Sequence, residues 1–124
     1  SNAVLKRAAH DAGAVEPLVQ LLFSGTQAAK EEACGALWSI AMVPEITLVV
    51  IGGGAAPGCM QLLFTGSEVG QESAAGLLNV CASQDDNKPA IIAANVIEPL
   101  VALCQTGSDA AKGQAAGALA SLVT

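Results

Sequence analysis

The residues that could do chemistry are few and scattered. Four cysteines stand alone at 34, 59, 81 and 104, and His10 is the one histidine. No Cys-x-x-Cys pair occurs, so zinc ligation is not expected. Each Cys falls among apolar neighbours in a helical pattern, which reads as a buried thiol in a reducing compartment. His10-Asp11 offers a base beside a carboxylate. Adjacent residues on a helix do not face each other, and no activated Ser or Cys accompanies them. Gly52-Gly53-Gly54-Ala55-Ala56-Pro57-Gly58 suggests a phosphate cradle. Pro57 stands where the dinucleotide pattern needs its third Gly, and no strand precedes it, so it reads as a turn. No cluster has the chemistry for a reaction, which points away from an enzyme and from a cofactor. The remaining chemistry is recognition. Glu32 and Glu72 could meet Lys or Arg, though Glu early in a helix also complements the macrodipole. Asn79 offers a donor and an acceptor together, and Trp38, the one Trp, offers a large rigid surface.

The elements that must position these residues announce themselves by repetition. Gln20-Leu21-Leu22-Phe23-Ser24-Gly25 returns 41 residues later as Gln61-Leu62-Leu63-Phe64-Thr65-Gly66, and more faintly as Ala102-Leu103-Cys104-Gln105-Thr106-Gly107. Gly35-Ala36-Leu37 likewise becomes Gly76-Leu77-Leu78 and Gly117-Ala118-Leu119. A fixed period of this length marks a solenoid, in which each unit buries its apolar face on its neighbours. Each unit reads as three helices. The first are expected near 4–12, 45–52 and 87–94, the second near 14–24, 55–65 and 96–106, the third near 27–42, 68–83 and 109–123. Gly13, Gly54 and Asn95 align between first and second helices, where left-handed backbone would turn the chain. Gly25, Gly66 and Gly107 are expected to do the same after the second helices. Thr26, Ser67 and Ser108 follow as caps of the third helices, and Pro17 and Pro99 sit in first turns. Ala33, Leu37 and Ile40 give the stripe of one buried face. Ile46 to Ile51 is β-branched and strand-like alone, but its register makes it helix.

The chain is 52% hydrophobic and 2% aromatic, so the core must come from many thin aliphatic contacts. A net charge of -6 disfavours nucleic acid, which needs a basic stripe, and suits a basic peptide. The uncharged run from Ile46 to Ser67 is long enough to suggest a membrane span, but its central glycines and Pro57 break it, so no membrane segment is expected. Ser1-Asn2-Ala3 reads as a scar of tag removal. Residues 4–124 then form a single domain, expected to be a fragment of a longer protein, with repeats about 4–42, 43–83 and 84–124.

Gly13-Ala14-Val15-Glu16-Pro17-Leu18-Val19-Gln20-Leu21-Leu22, Asn87-Lys88-Pro89-Ala90-Ile91-Ile92, Ile97-Glu98-Pro99-Leu100-Val101 and Ala115-Ala116-Gly117-Ala118-Leu119 together resemble the armadillo repeat family. The resemblance implies an all-α, right-handed α-solenoid of three stacked three-helix repeats, working as a protein-interaction scaffold inside the cell. It also implies a concave groove lined by the third helices, where an Asn late in each helix grips an extended peptide. Asn79 matches that Asn, and spacing from the preceding Gly puts Ser39 and Ser121 in its row. One turn earlier, import adaptors of the family carry a Trp row; Gly35, Ala75 and Gly117 stand there instead, which argues against a receptor for import signals. Glu32, Glu72 and Gln114 lie seven residues before the row, and the two carboxylates would wall the groove with charge. Trp38 is expected at the groove's edge. The expected binding residues are therefore Asn79, Trp38, Ser39, Glu32, Glu72 and Ser121, toward a protein or an extended, basic peptide. The alternative is a purely architectural segment with no ligand, whose exposed repeat ends would self-associate when isolated.

Overall fold

The computed structural model describes residues 3, 4, 7 and 13–124. Val4 and Arg7 are helical; the rest of the helix expected over 4–12, with His10 and Asp11, lies outside the described residues. The chain then runs through α1 (Val15–Ser24), α2 (Gln27–Ile40), α3 (Pro44–Gly52), α4 (Ala55–Thr65) and α5 (Glu68–Ala82). A 3-10 turn at Asp85–Asn87 leads into α6 (Lys88–Ala93), α7 (Ile97–Thr106) and α8 (Asp109–Leu122). No strand occurs among the described residues, and the β-branched stretch from Ile46 lies in α3. The fold is an all-α solenoid. Third helices α2, α5 and α8 pack on one another in series, and each second helix packs on the third helix of its own unit.

The corners follow from backbone freedom. Gly13, Gly54 and Asn95 take φ of 80°, 95° and 62°, the left-handed region where Gly and Asn are least strained. This turns α3 into α4 by 86° and the start of unit three into α7 by 87°. No single described helix is long and apolar enough to cross a membrane.

The second set of glycines corrects the expectation. Gly25, Gly66 and Gly107 are extended, with φ of -78°, -72° and -74°. Their need for Gly is steric. A Cβ would stand 2.9, 2.6 and 2.7 Å from the carbonyl oxygens of Leu21, Leu62 and Leu103. Each Gly N–H donates to that same carbonyl, so the chain leaves the helix too tightly for a side chain. Thr26, Ser67 and Ser108 then cap the third helices as expected, each accepting from the N–H three residues on at 3.2 Å.

The core is continuous and aliphatic. Leu22, Leu37, Leu62, Leu77, Leu78 and Leu100 are buried along its length, and so is the Ala33, Leu37, Ile40 stripe. Cys34, Cys59 and Cys81 are buried within it, while Cys104 is half-buried. Burial and the neighbouring Cys34 push the Cys81 thiol up to about 12. One buried polar tie crosses between units: Asn87 Nδ2 donates to Thr47 Oγ1 and to the Cys81 carbonyl, both at 3.0 Å. Such a tie contributes by geometry, since a misplaced unit would strand the amide without partners.

Candidate interaction groove

The three capping bonds fix the register of the third helices. Counted from the caps, Trp38, Asn79 and Ala120 are equivalent, each twelve residues on. Ser39 and Ser121 are therefore equivalent to Val80, and the expected row of Ser39, Asn79 and Ser121 does not form. The glycine row is likewise Gly35, Gly76 and Gly117, with Gly76 in place of Ala75.

This register has a steric meaning. The Trp38 ring lies over Gly76 of the next third helix, where any Cβ would overlap it. Asn79 repeats the arrangement over Gly117, where a Cβ would stand 2.6 Å from Asn79 Nδ2. Asn79 Nδ2 also donates to Gln114 Oε1 at 3.0 Å. Both side chains are half-buried in junctions between units, and Trp38 packs against the core.

Between α2 and α5 the small residues leave a shallow groove of about 450 Å³. Gly35, Ala36 and Ser39 line it from α2; Val69 and Ser73 line it from α5; Glu31 and Glu32 stand along it. Gly35 is open here, since a Cβ would meet only Ser73 Oγ at 3.7 Å. Glu31 is engaged. It accepts from the Ser67 N–H at 2.8 Å, the Ser67 hydroxyl at 2.6 Å and Gln27 Nε2 at 3.2 Å. Hydrogen bonding from the Ser67 side chain, then from its backbone, holds the Glu31 carboxyl below its ordinary value. Glu32 is exposed, and no hydrogen bond or ion pair occupies it among the described residues. The groove thus presents one unengaged carboxylate above a floor of Gly, Ala and Ser.

Of the residues expected from sequence, the structure brings Glu32 and Ser39 to this groove. Glu72 is half-buried on α5 and Ser121 half-buried on α8, both away from its lining. Sequence reasoning missed Glu31, Val69 and Ser73. A signal for Glu31 was present: Gln27 one turn before it, and a capping Ser67 one unit on. A second cavity of about 390 Å³, between α1 and α3, is lined by Val15, Val19, Val49 and Glu16 and holds none of the expected residues.

The armadillo/beta-catenin-like repeat matches residues 5–42 and 84–124. The unmatched middle contains the Gly52–Gly54 run and Pro57-Gly58, yet folds into the same helices. No curated protein matches the chain. Among solved structures, one crystal structure of an engineered protein is 34% identical with a TM-score of 0.88, covering 97% of this chain and 49% of its own. A designed armadillo repeat protein in complex with the peptide (KR)4 is 29% identical, with a TM-score of 0.84, covering 94% of this chain and 49% of its own. Computationally designed armadillo repeat proteins for modular peptide recognition give 27% identity and a TM-score of 0.87, over 94% of this chain and 50% of theirs. The chain spans about half the length of these structures.

Proposed function

The chain belongs to the armadillo repeat family, and from that premise we propose that it is an interaction scaffold binding an extended, basic peptide or protein segment along the third-helix groove. The observation that carries this reading is the α2/α5 groove with exposed Glu32 beside Ser39, Ser73 and Gly35. A Lys or Arg head would reach Glu32 while its aliphatic stem lies on Ala36 and Val69. The net charge of -6 favours approach of a basic partner. The similar designed protein held with (KR)4 supports the same chemistry. Glu72, Ser121 and Asn79 extend the proposed site only if a ligand continues beyond the groove. The buried, reduced thiols suit an intracellular setting.

One observation favours the architectural reading. Trp38 and Asn79, the two side chains best suited to grip a ligand, are engaged between units. Titration of the chain with (KR)4 by calorimetry separates the readings. Saturable binding that weakens about two- to fivefold in Glu32→Gln supports the groove. Heat that is non-saturable, or unchanged in Glu32→Gln, leaves the architectural role.

A further inference from the structure

Among the described residues, the buried polar side chains are Thr47, Ser73 and Asn87, at 1%, 7% and 3% exposure. Thr47 and Asn87 are satisfied. Asn87 Nδ2 donates to Thr47 Oγ1, and the Thr47 hydroxyl donates to the Pro44 carbonyl at 2.7 Å. Ser73 differs, because its Oγ has no hydrogen-bond partner among the described residues. Even exposed hydroxyls elsewhere turn back on their own helix. Ser24, Thr65 and Thr106 each donate at 3.0 Å to the carbonyl four residues earlier. Ser73 makes no such bond to Val69. A buried hydroxyl left unpaired costs stability, and folded proteins hold few of them.

This hydroxyl lies in the floor of the α2/α5 groove, between two helices that are described along their whole length. It faces α2 at Gly35, where a Cβ would stand 3.7 Å from Ser73 Oγ and within 4 Å of nothing else. The position 41 residues earlier is Glu32, exposed at the rim of the same groove. The position 41 residues later is Gln114, whose Oε1 already accepts from Asn79. One groove therefore holds an unengaged carboxylate at its rim and an unengaged hydroxyl at its floor.

We propose that Ser73 is the floor of an arginine subsite in this groove, its Oγ accepting one N–H of a ligand guanidinium whose other N–H groups meet Glu32. The assignment rests on the peptide-binding reading of the groove and adds the side chain that is selected. A head that reaches Ser73 must shed water, because the hydroxyl is buried. A guanidinium is the more weakly hydrated cation, and its planar fork carries five donors. It can serve the rim and the floor together. A Lys ammonium is compact and strongly hydrated, so it stays with Glu32 at the rim. Glu32 thus supplies attraction to either cation, and Ser73 supplies the choice between them.

Calorimetric titration of the whole chain with an all-Arg and an all-Lys peptide, each the length of (KR)4, tests this. The parent should bind the Arg peptide more tightly, by about threefold or more. Ser73→Ala should weaken the Arg peptide about three- to tenfold and the Lys peptide less than about twofold. It should also raise Tm, since an unpaired buried hydroxyl is removed and Ala is the better helix former. Gly35→Ala sets a methyl before the hydroxyl and should produce the same selective loss. Added to Ser73→Ala it should cost little more, because the group it shields is gone. Glu32→Gln should weaken both peptides. Equal affinity of the parent for the two peptides overturns the proposal. So does an equal loss of both in Ser73→Ala, which moves the hydroxyl's partner to the ligand main chain. A fall in Tm with affinity unchanged makes the hydroxyl structural and overturns it too. Each of these leaves Glu32 and the groove reading standing. Absence of saturable binding by either peptide removes the groove reading and the subsite together.

Discussion

Replacing Gly76 by Ala tests the junction between units directly. In an exposed helix interior the change should stabilise by about 0.8–1.0 kcal/mol, because Ala is the better helix former. Gly76 is buried, and its added methyl would fall inside the Trp38 ring. Ordinary carbon contact is about 3.5–4.0 Å, so ring and helix must separate by about 1 Å or more. Trp38 packs against the core and cannot swing away freely. Overpacking of this kind costs about 1–3 kcal/mol. The net expectation is a loss of about 0–2 kcal/mol, a fall in Tm of up to several degrees for a domain of this size. Two controls isolate the cause. Gly113→Ala, with nothing within 4 Å of the new Cβ, should stabilise by the full helix-propensity gain. In a Trp38→Ala background, Gly76→Ala should change sign and stabilise as well. The assay is urea unfolding followed by circular dichroism, with the four chains forming a double-mutant cycle. If Gly76→Ala stabilises the parent as much as Gly113→Ala does, the ring does not lie over this glycine and the register is wrong.

Two further outcomes follow from the titrating groups. Glu31 has a depressed carboxyl in the folded state, so its contribution is present above the ordinary carboxylate range and is lost as pH falls through the lower, folded value. Glu31→Gln should therefore flatten the pH dependence of Tm between about pH 5 and pH 3. A thiol reagent added to the native chain should titrate Cys104 first, because Cys34, Cys59 and Cys81 are buried. Burial together with the neighbouring thiol pushes Cys81 up to about 12, so it lacks thiolate at neutral pH. Modification of all four at one fast rate, without denaturant, would contradict the buried assignment.

The fold was legible because each corner of the chain leaves a chemical mark. Gly13, Gly54 and Asn95 tolerate the same left-handed turn, and Thr26, Ser67 and Ser108 cap in the same place. The binding row was not legible because Ser39 and Ser121 stand fourteen residues after Gly25 and Gly107, while Asn79, the one amide, stands thirteen after Gly66. The caps are 41 residues apart without a slip, and the helices follow the caps, which sets Asn79 with Trp38 and Ala120. The glycines after the second helices also misled, since extended and left-handed glycines look alike in sequence. Only the backbone shows that Gly25, Gly66 and Gly107 avoid a carbonyl oxygen rather than reach positive φ. The groove itself depends on absences, at Gly35, Ala36 and Ser73, and a missing side chain gives no local signal of what it leaves open.

The side chain seated over each glycine also sets how far apart neighbouring units stand. A Trp ring separates α2 from α5, and an Asn separates α5 from α8, which are in the more extensive contact. The groove lies at the joint with the larger wedge. The spacing at that joint is thus set by a residue outside the groove's lining. Substituting Trp38 by a smaller residue is expected to narrow the groove while leaving every side chain of its lining in place.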